Sequence, residues 1–148
     1  MSVFPTFTRS QYNRSTPHSL NKSPHAIMCL DCDLIPIHHV LRQTVCNIEA
    51  LLEQISFGFV NLRSPCGKTP LMTAAYSCHK QAIHLLLEHG AVINAIHEES
   101  GDTAAHFVTM SLCGHIRQCG CVMALIEFGA LIDMKNNDGH TVFELATK

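Results

Sequence analysis

Cys29 and Cys32, spaced C-x-x-C, stand shortly before His38 and His39. Two cysteine thiolates and two imidazoles can hold zinc tetrahedrally. On a helix, however, adjacent histidines point to different faces, which works against a shared metal. A second group is Cys113, His115, Cys119 and Cys121, four soft donors within nine residues. Its spacing matches no structural zinc pattern, and Arg117 inside it disfavours a cation. Cys121 also heads an apolar stripe and fits a buried place better than a ligand's. A metal- or redox-responsive cysteine-rich module is therefore kept as an alternative reading. Eleven histidines invite acid–base or Cys–His chemistry. Yet there is no glycine-rich phosphate loop, no G-x-S-x-G elbow and no H-E-x-x-H, and nothing singles out one cysteine–histidine pair. The expectation is no enzyme, no cofactor and no metal.

The elements that must position these side chains are clearest around Gly67-Lys68-Thr69-Pro70-Leu71-Met72-Thr73-Ala74-Ala75. Gly67 suits a turn, Thr69 can cap a helix through its hydroxyl, and Pro70 fits the first helical position, where its missing N–H costs nothing. The alanine pair lets two backbones approach closely. After a break at Ser77-Cys78-His79, the stripe Ala82, Ile83, Leu85, Leu86, Leu87 predicts a second helix, ended by Gly90 in a left-handed cap. The unit recurs. Thr103 follows Thr69 by 34 residues, Pro70 follows Pro36 by 34, and Thr141 follows Thr103 by 38. Gly90-Ala91-Val92-Ile93-Asn94 is echoed at Gly129-Ala130-Leu131-Ile132-Asp133 and weakly at Gly58-Phe59-Val60-Asn61.

At these residues the chain resembles the ankyrin repeat family, with its turn-plus-two-helix unit of about 33 residues and its Thr-Pro-Leu-His signature. The resemblance covers residues 31–148, about three and a half repeats, and implies an all-α solenoid of helix–turn–helix units with hairpin loops. The repeats run approximately over 31–63, 64–98 and 99–136, with a partial unit at 137–148. It places His38 and His106 at the family's histidine position, where the ring bonds across repeats. Met72 departs from that position, and the expectation is that it can only pack. In the first unit His39 and Val40 stand where the strong repeat has its alanines. Ile48, Leu51, Leu52 and Ile55 form that unit's outer stripe. Thr103 to Gly129 spans 26 residues against 21 from Thr69 to Gly90, so about five extra residues fall within Ser111–Cys121, where a loop is expected.

Composition bounds the rest. Hydrophobic residues at 47% supply a core, and a formal net charge of −2 provides no field for nucleic acid or a membrane surface. No apolar run spans a bilayer, since Glu127 interrupts the longest, and no secretory signal precedes Pro5 and Arg9. Eight cysteines without framework spacing read as reduced thiols in the cytosol or nucleus. Residues 1–28 carry Arg9, Arg14 and Lys22 and no acid, with Pro5, Pro17 and Pro24 among many Ser and Thr, and read as a disordered arm before a repeat domain at 29–148. Thr16-Pro17 and Ser23-Pro24 are candidate proline-directed phosphorylation sites. An organellar transit peptide competes less well, because the prolines break the helix it needs.

The resemblance implies protein–protein recognition through a concave face and hairpin tips, as scaffold, adaptor or inhibitor, with another protein as partner. Carried over residue by residue, the face comprises Thr73, Tyr76 and Ser77, then Phe107, Met110 and Ser111, with Phe107 beside Tyr76 as an exposed aromatic anchor. The tips comprise Ile96, His97, Glu98 and Glu99, then Met134, Lys135 and Asn136. The final unit, 136–148, lacks a second helix. That predicts either a truncated product of a longer protein or self-association through the uncovered end.

Overall fold

The computed structural model describes residues 35–148. The arm at 1–28, its Thr16-Pro17 and Ser23-Pro24 sites, and the Cys29–Cys32 pair lie outside the described residues. Among the described residues seven helices follow in order: α1 (Pro36–Arg42), α2 (Ile48–Ser56), α3 (Pro70–Tyr76), α4 (Lys80–Glu88), α5 (Ala104–Thr109), α6 (His115–Glu127) and α7 (Val142–Ala146). No strand occurs among the described residues. The short helices form one row, with α1 against α3, α3 against α5 and α5 against α7; α2, α4 and α6 form a second row behind it. The core lies between the rows. Leu41, Leu51, Leu71, Ile83, Leu86 and Leu125 are fully buried there.

Three of the inner helices, α3, α5 and α7, start by a local device written in their sequence, whereas α1 has only Pro36 at its first position. In α3 the Met72 N–H donates to the Thr69 hydroxyl at 3.3 Å, and the Thr69 N–H points at the Met72 sulfur at 3.4 Å. In α5 the Thr103 N–H donates to Nδ1 of His106 at 3.2 Å, and in α7 the Thr141 N–H donates to the Glu144 carboxylate at 2.7 Å. Sulfur, imidazole and carboxylate thus occupy one place, the third helical residue, and receive the otherwise orphaned N–H of the cap. The Thr141 amide holds the Glu144 carboxyl below its ordinary pKa. The expectation that Met72 only packs is corrected: its thioether is also a weak acceptor. What Met72 lacks is the second ring nitrogen, which in His106 donates to the His140 carbonyl at 3.2 Å and in His38 to the Leu62 carbonyl at 2.9 Å.

The outer helices end at Gly58, Gly90 and Gly129, all at positive φ. At Gly90 the chain turns back so that the Ala91 N–H donates to the Leu86 carbonyl at 2.9 Å. This satisfies a helix-end acceptor through a conformation that disfavours a Cβ. Register corrects two details of the first unit. Pro36 takes the place of Pro70, so Val40 and Leu41, not His39 and Val40, stand where α3 has its alanines, and both are buried. Within α2 the buried stripe is Leu51, Gln54 and Ile55, while Leu52 is exposed.

The extra residues of the third unit do not form a loop. Helix α6 has 13 residues against 9 in α4, the inter-helix segment lengthens only to 110–114, and α5 is one residue shorter than α3. An added turn of helix therefore projects beyond the end of α4. Amides of Arg117 and Gln118 donate to the Gly114 carbonyl at 2.9 and 3.2 Å, and the Gln118 side chain donates to the Ser111 carbonyl at 2.9 Å. Those bonds give the insertion's backbone internal partners, which an open loop would have to find in water.

Candidate partner-binding surface

The residues expected to face a partner divide by burial. Thr73 is buried, and its hydroxyl donates to Nδ1 of His38 at 2.7 Å. Phe107 is only 5% exposed. The ring of His97 meets it edge-on at 5.9 Å, and the Lys68 ammonium lies 5.5 Å from its centroid. The hairpin loops fold over the inner helices here, so the expected aromatic anchor is roofed by a cation and an imidazole. Its accessibility is corrected accordingly. His97 is itself buried, with Nε2–H donating to the Cys66 carbonyl at 2.7 Å and Nδ1 accepting from the Ser100 hydroxyl at 2.9 Å. It clamps one hairpin to the next. Ser111 and Asn136 are also buried; Ser111 meets the Cys78 thiol at 3.0 Å, and Asn136 donates to the Asp102 carboxylate at 2.9 Å.

Tyr76, Ser77 and Met110 are half-buried, as is Met134, whereas Ile96, Glu98, Glu99 and Lys135 are exposed. Tyr76 and Met110 hold corresponding places at the C-terminal ends of α3 and α5. Desolvation raises the Tyr76 phenol's pKa, so it stays protonated and can donate a hydrogen bond.

Sequence reasoning passed over the side chains that project furthest. Leu112, in the inter-helix segment, is 95% exposed, and Ile116, on the added turn of α6, is 90% exposed. Val45 is also largely exposed, on the loop between α1 and α2. It lines an open groove of about 300 Å³ with Cys46, Ile48, His79, Lys80 and Arg117. The signal was available as two large apolar residues within the inserted stretch. It was masked because the cysteines nearby suggested metal chemistry.

The four candidate ligands of the insertion are not gathered. Cys121 is buried, Cys113 is half-buried with its thiol 3.7 Å from the Ser77 carbonyl, and His115 and Cys119 are exposed. Cys78 joins Cys113 and Cys121 instead. Burial pushes the Cys78 thiol up to about 12 and raises Cys121, which keeps both protonated and poor as ligands or nucleophiles. Among the described residues no cluster of three or more His, Cys, Asp or Glu side chains could hold a metal ion. No described helix is long and apolar enough to cross a membrane.

Two comparisons bear on this arrangement. The family model described as ankyrin repeats (many copies) matches residues 71–119. A Danio rerio protein named "Putative palmitoyltransferase ZDHHC13" is 33% identical over 88 residues, which cover 59% of this chain and 13% of that protein. The aligned stretch is thus a small part of the relative. Family match, repeated caps and stacked helix pairs agree, and the chain carries an ankyrin-repeat segment, matched across residues 71–119.

Proposed function

We propose that this chain is a protein-recognition element, an ankyrin solenoid over residues 31–148 that holds another protein as scaffold, adaptor or inhibitor and performs no catalysis. Ankyrin repeats generally mediate protein–protein interaction, and that generality supports the reading. The observation that carries it further is the stretch from the inter-helix segment into the projecting turn of α6, where Leu112 and Ile116 are 95% and 90% exposed. Two large apolar side chains held in water, one just before α6 and one on its added turn, gain about 1.5–3 kcal/mol each when a partner covers them. They continue the half-exposed Tyr76, Ser77 and Met110 toward the inter-helix edge. Ile96, Glu98, Met134 and Lys135 lie apart from these, at the hairpins, where Glu98 and Lys135 are exposed charges. The acyl transfer in the relative's name is not extended to this chain, since the alignment covers 13% of that protein. The free thiols of Cys46, Cys78, Cys113, Cys119 and Cys121 fit a reducing compartment, the cytosol or nucleus.

The test compares affinity capture by wild type, Leu112→Asp/Ile116→Asp, Tyr76→Ala and Glu98→Lys/Lys135→Glu, all matched for folding by circular dichroism. A partner held by wild type should be lost by the first variant, weakened about 30-fold by the second and retained by the third. Equal capture by all four, or capture of nothing specific, overturns the proposal. A second reading, self-association, is favoured by Phe143, 58% exposed, with Met123 and Ile126 also exposed near the C-terminal end. Sedimentation showing a monomer at high concentration would remove it.

A further inference from the structure

The open groove of about 300 Å³ beside Val45 is uneven in charge. Lys80 and Arg117 bring two cations to its lining, and no lining residue carries a carboxylate; Glu49, next to Ile48 in the chain, is not among them. The two cations share one side. The Lys80 stem lies against α6 at Gly120, its Cδ 3.8 Å from where a Cβ on that glycine would stand. Arg117 precedes Gly120 by three residues and so lies on the same face of α6. Both residues are exposed, and neither head group makes a hydrogen bond or ion pair among the described residues. Two like charges gathered without a counter-ion repel, and a carboxylate beside them relieves the repulsion. The α1–α2 loop and the start of α2 give the groove an apolar wall, with Val45 80% exposed and Ile48 half-buried. His79 fixes this wall to the start of α4, its Nε2–H donating to the Gln43 carbonyl at 2.7 Å.

We propose that this groove seats a short acidic segment of a partner protein, with an apolar side chain against Val45 and Ile48 and a flanking carboxylate on Lys80 and Arg117. The inference rests on the recognition reading above and names the partner's chemistry, but it does not depend on Leu112 or Ile116. A volume of about 300 Å³ is at the small end of ligand-sized clefts and takes a few side chains of an extended segment. Nucleic acid fits poorly, because the lining has no Phe, Tyr or Trp on which a base could stack. An anionic membrane fits poorly as well, because a polybasic cluster is needed there and the chain's formal net charge is −2.

The test titrates the full chain with short fluorescein-labelled peptides built from Leu and Glu, beside two controls, one with Gln for every Glu and one with Ser for every Leu. The Leu–Glu peptide should bind at least about tenfold more tightly than either control, shift the amide resonances of Val45 and Lys80, and weaken as salt rises. Lys80→Glu/Arg117→Glu, matched to wild type by circular dichroism, should weaken it at least about tenfold. Lys80→Gln/Arg117→Gln should fall between, and Lys135→Glu, at a hairpin, should stay within about twofold of wild type. Leu112→Asp/Ile116→Asp should bind the peptide as wild type does, which separates the groove from the exposed turn. If that variant keeps the peptide and also keeps every captured partner, the turn reading fails and the groove stands. No binding at about 1 mM peptide, equal binding of the Gln control, or binding indifferent to charge reversal overturns the groove alone. Tighter binding of oligothymidylate or of phosphatidylserine vesicles than of the peptide overturns it too.

Discussion

His38 makes the fold sensitive to acid in a way that can be worked out from its surroundings. The ring is fully buried, with Nε2–H donating to the Leu62 carbonyl and Nδ1 accepting from the Thr73 hydroxyl. Burial lowers its pKa from 6.5 to about 4; the Leu62 carbonyl pulls the other way, and the charges of Lys68 and Arg42 add to the depression. Below pH 6.5 the unfolded chain takes up a proton that the folded chain refuses. Stability is therefore full above about pH 6.5 and is lost as pH falls toward 4. At about 1.4 kcal/mol per pKa unit, the loss approaches about 3 kcal/mol. Met72 holds the same place in α3, so His38→Met is a natural comparison. It removes both ring bonds, at a cost of about 1–2 kcal/mol at pH 7.5, and it cannot titrate. Urea unfolding of both proteins between pH 7.5 and 4 should show wild type ahead at neutral pH, a crossing between about pH 5 and 6, and the variant ahead at pH 4. Histidines common to both chains cancel in the difference. A gap that stays constant across this range, or a His38 ring found protonated by NMR at pH 5.5, would refute the reasoning.

Gly101 has φ +71, and a Cβ there would lie 2.6–2.9 Å from Asn137, including its backbone nitrogen. Gly101→Ala should cost on the order of 2–4 kcal/mol and loosen the hairpin contact in which the Asn137 N–H donates to the Ser100 carbonyl at 2.9 Å; a urea-derived loss under about 1 kcal/mol would contradict this. Cys78 is the one described non-glycine residue at positive φ, 53°. Cys78→Gly and Cys78→Ala both lose the buried thiol, but only glycine relieves the backbone, so the glycine variant should be the more stable by about 1 kcal/mol in the same melts.

The helix starts were legible because each is local. Thr69 and Thr141 sit one residue before their helices and bond three residues ahead, and Gly90 sits one turn past α4's last buried leucine. The spacing that located them fixes side-chain direction without knowledge of neighbours. Exposure of the candidate site was less legible. Thr73, His97 and Phe107 lie at places that a single repeat leaves open, and they are buried because His38, Cys66 and Lys68 reach them from residues roughly thirty or more positions away. The insertion's length is visible in the sequence, but the bonds of Arg117 and Gln118 that make it helical are not.

The sequence by itself determined the helical units, their period of about 34 residues, their caps and glycine stops, and which stripe of each helix is apolar. These follow from torsional preference and 3.6-residue periodicity, both of which act within a few residues. Only the tertiary structure decided which apolar residues remain in water. Hairpins from adjacent units close over Phe107, while Leu112 just before α6 and Ile116 on its added turn stay almost fully exposed. Burial depends on what lies across a repeat boundary, so a side chain's own helix cannot set it.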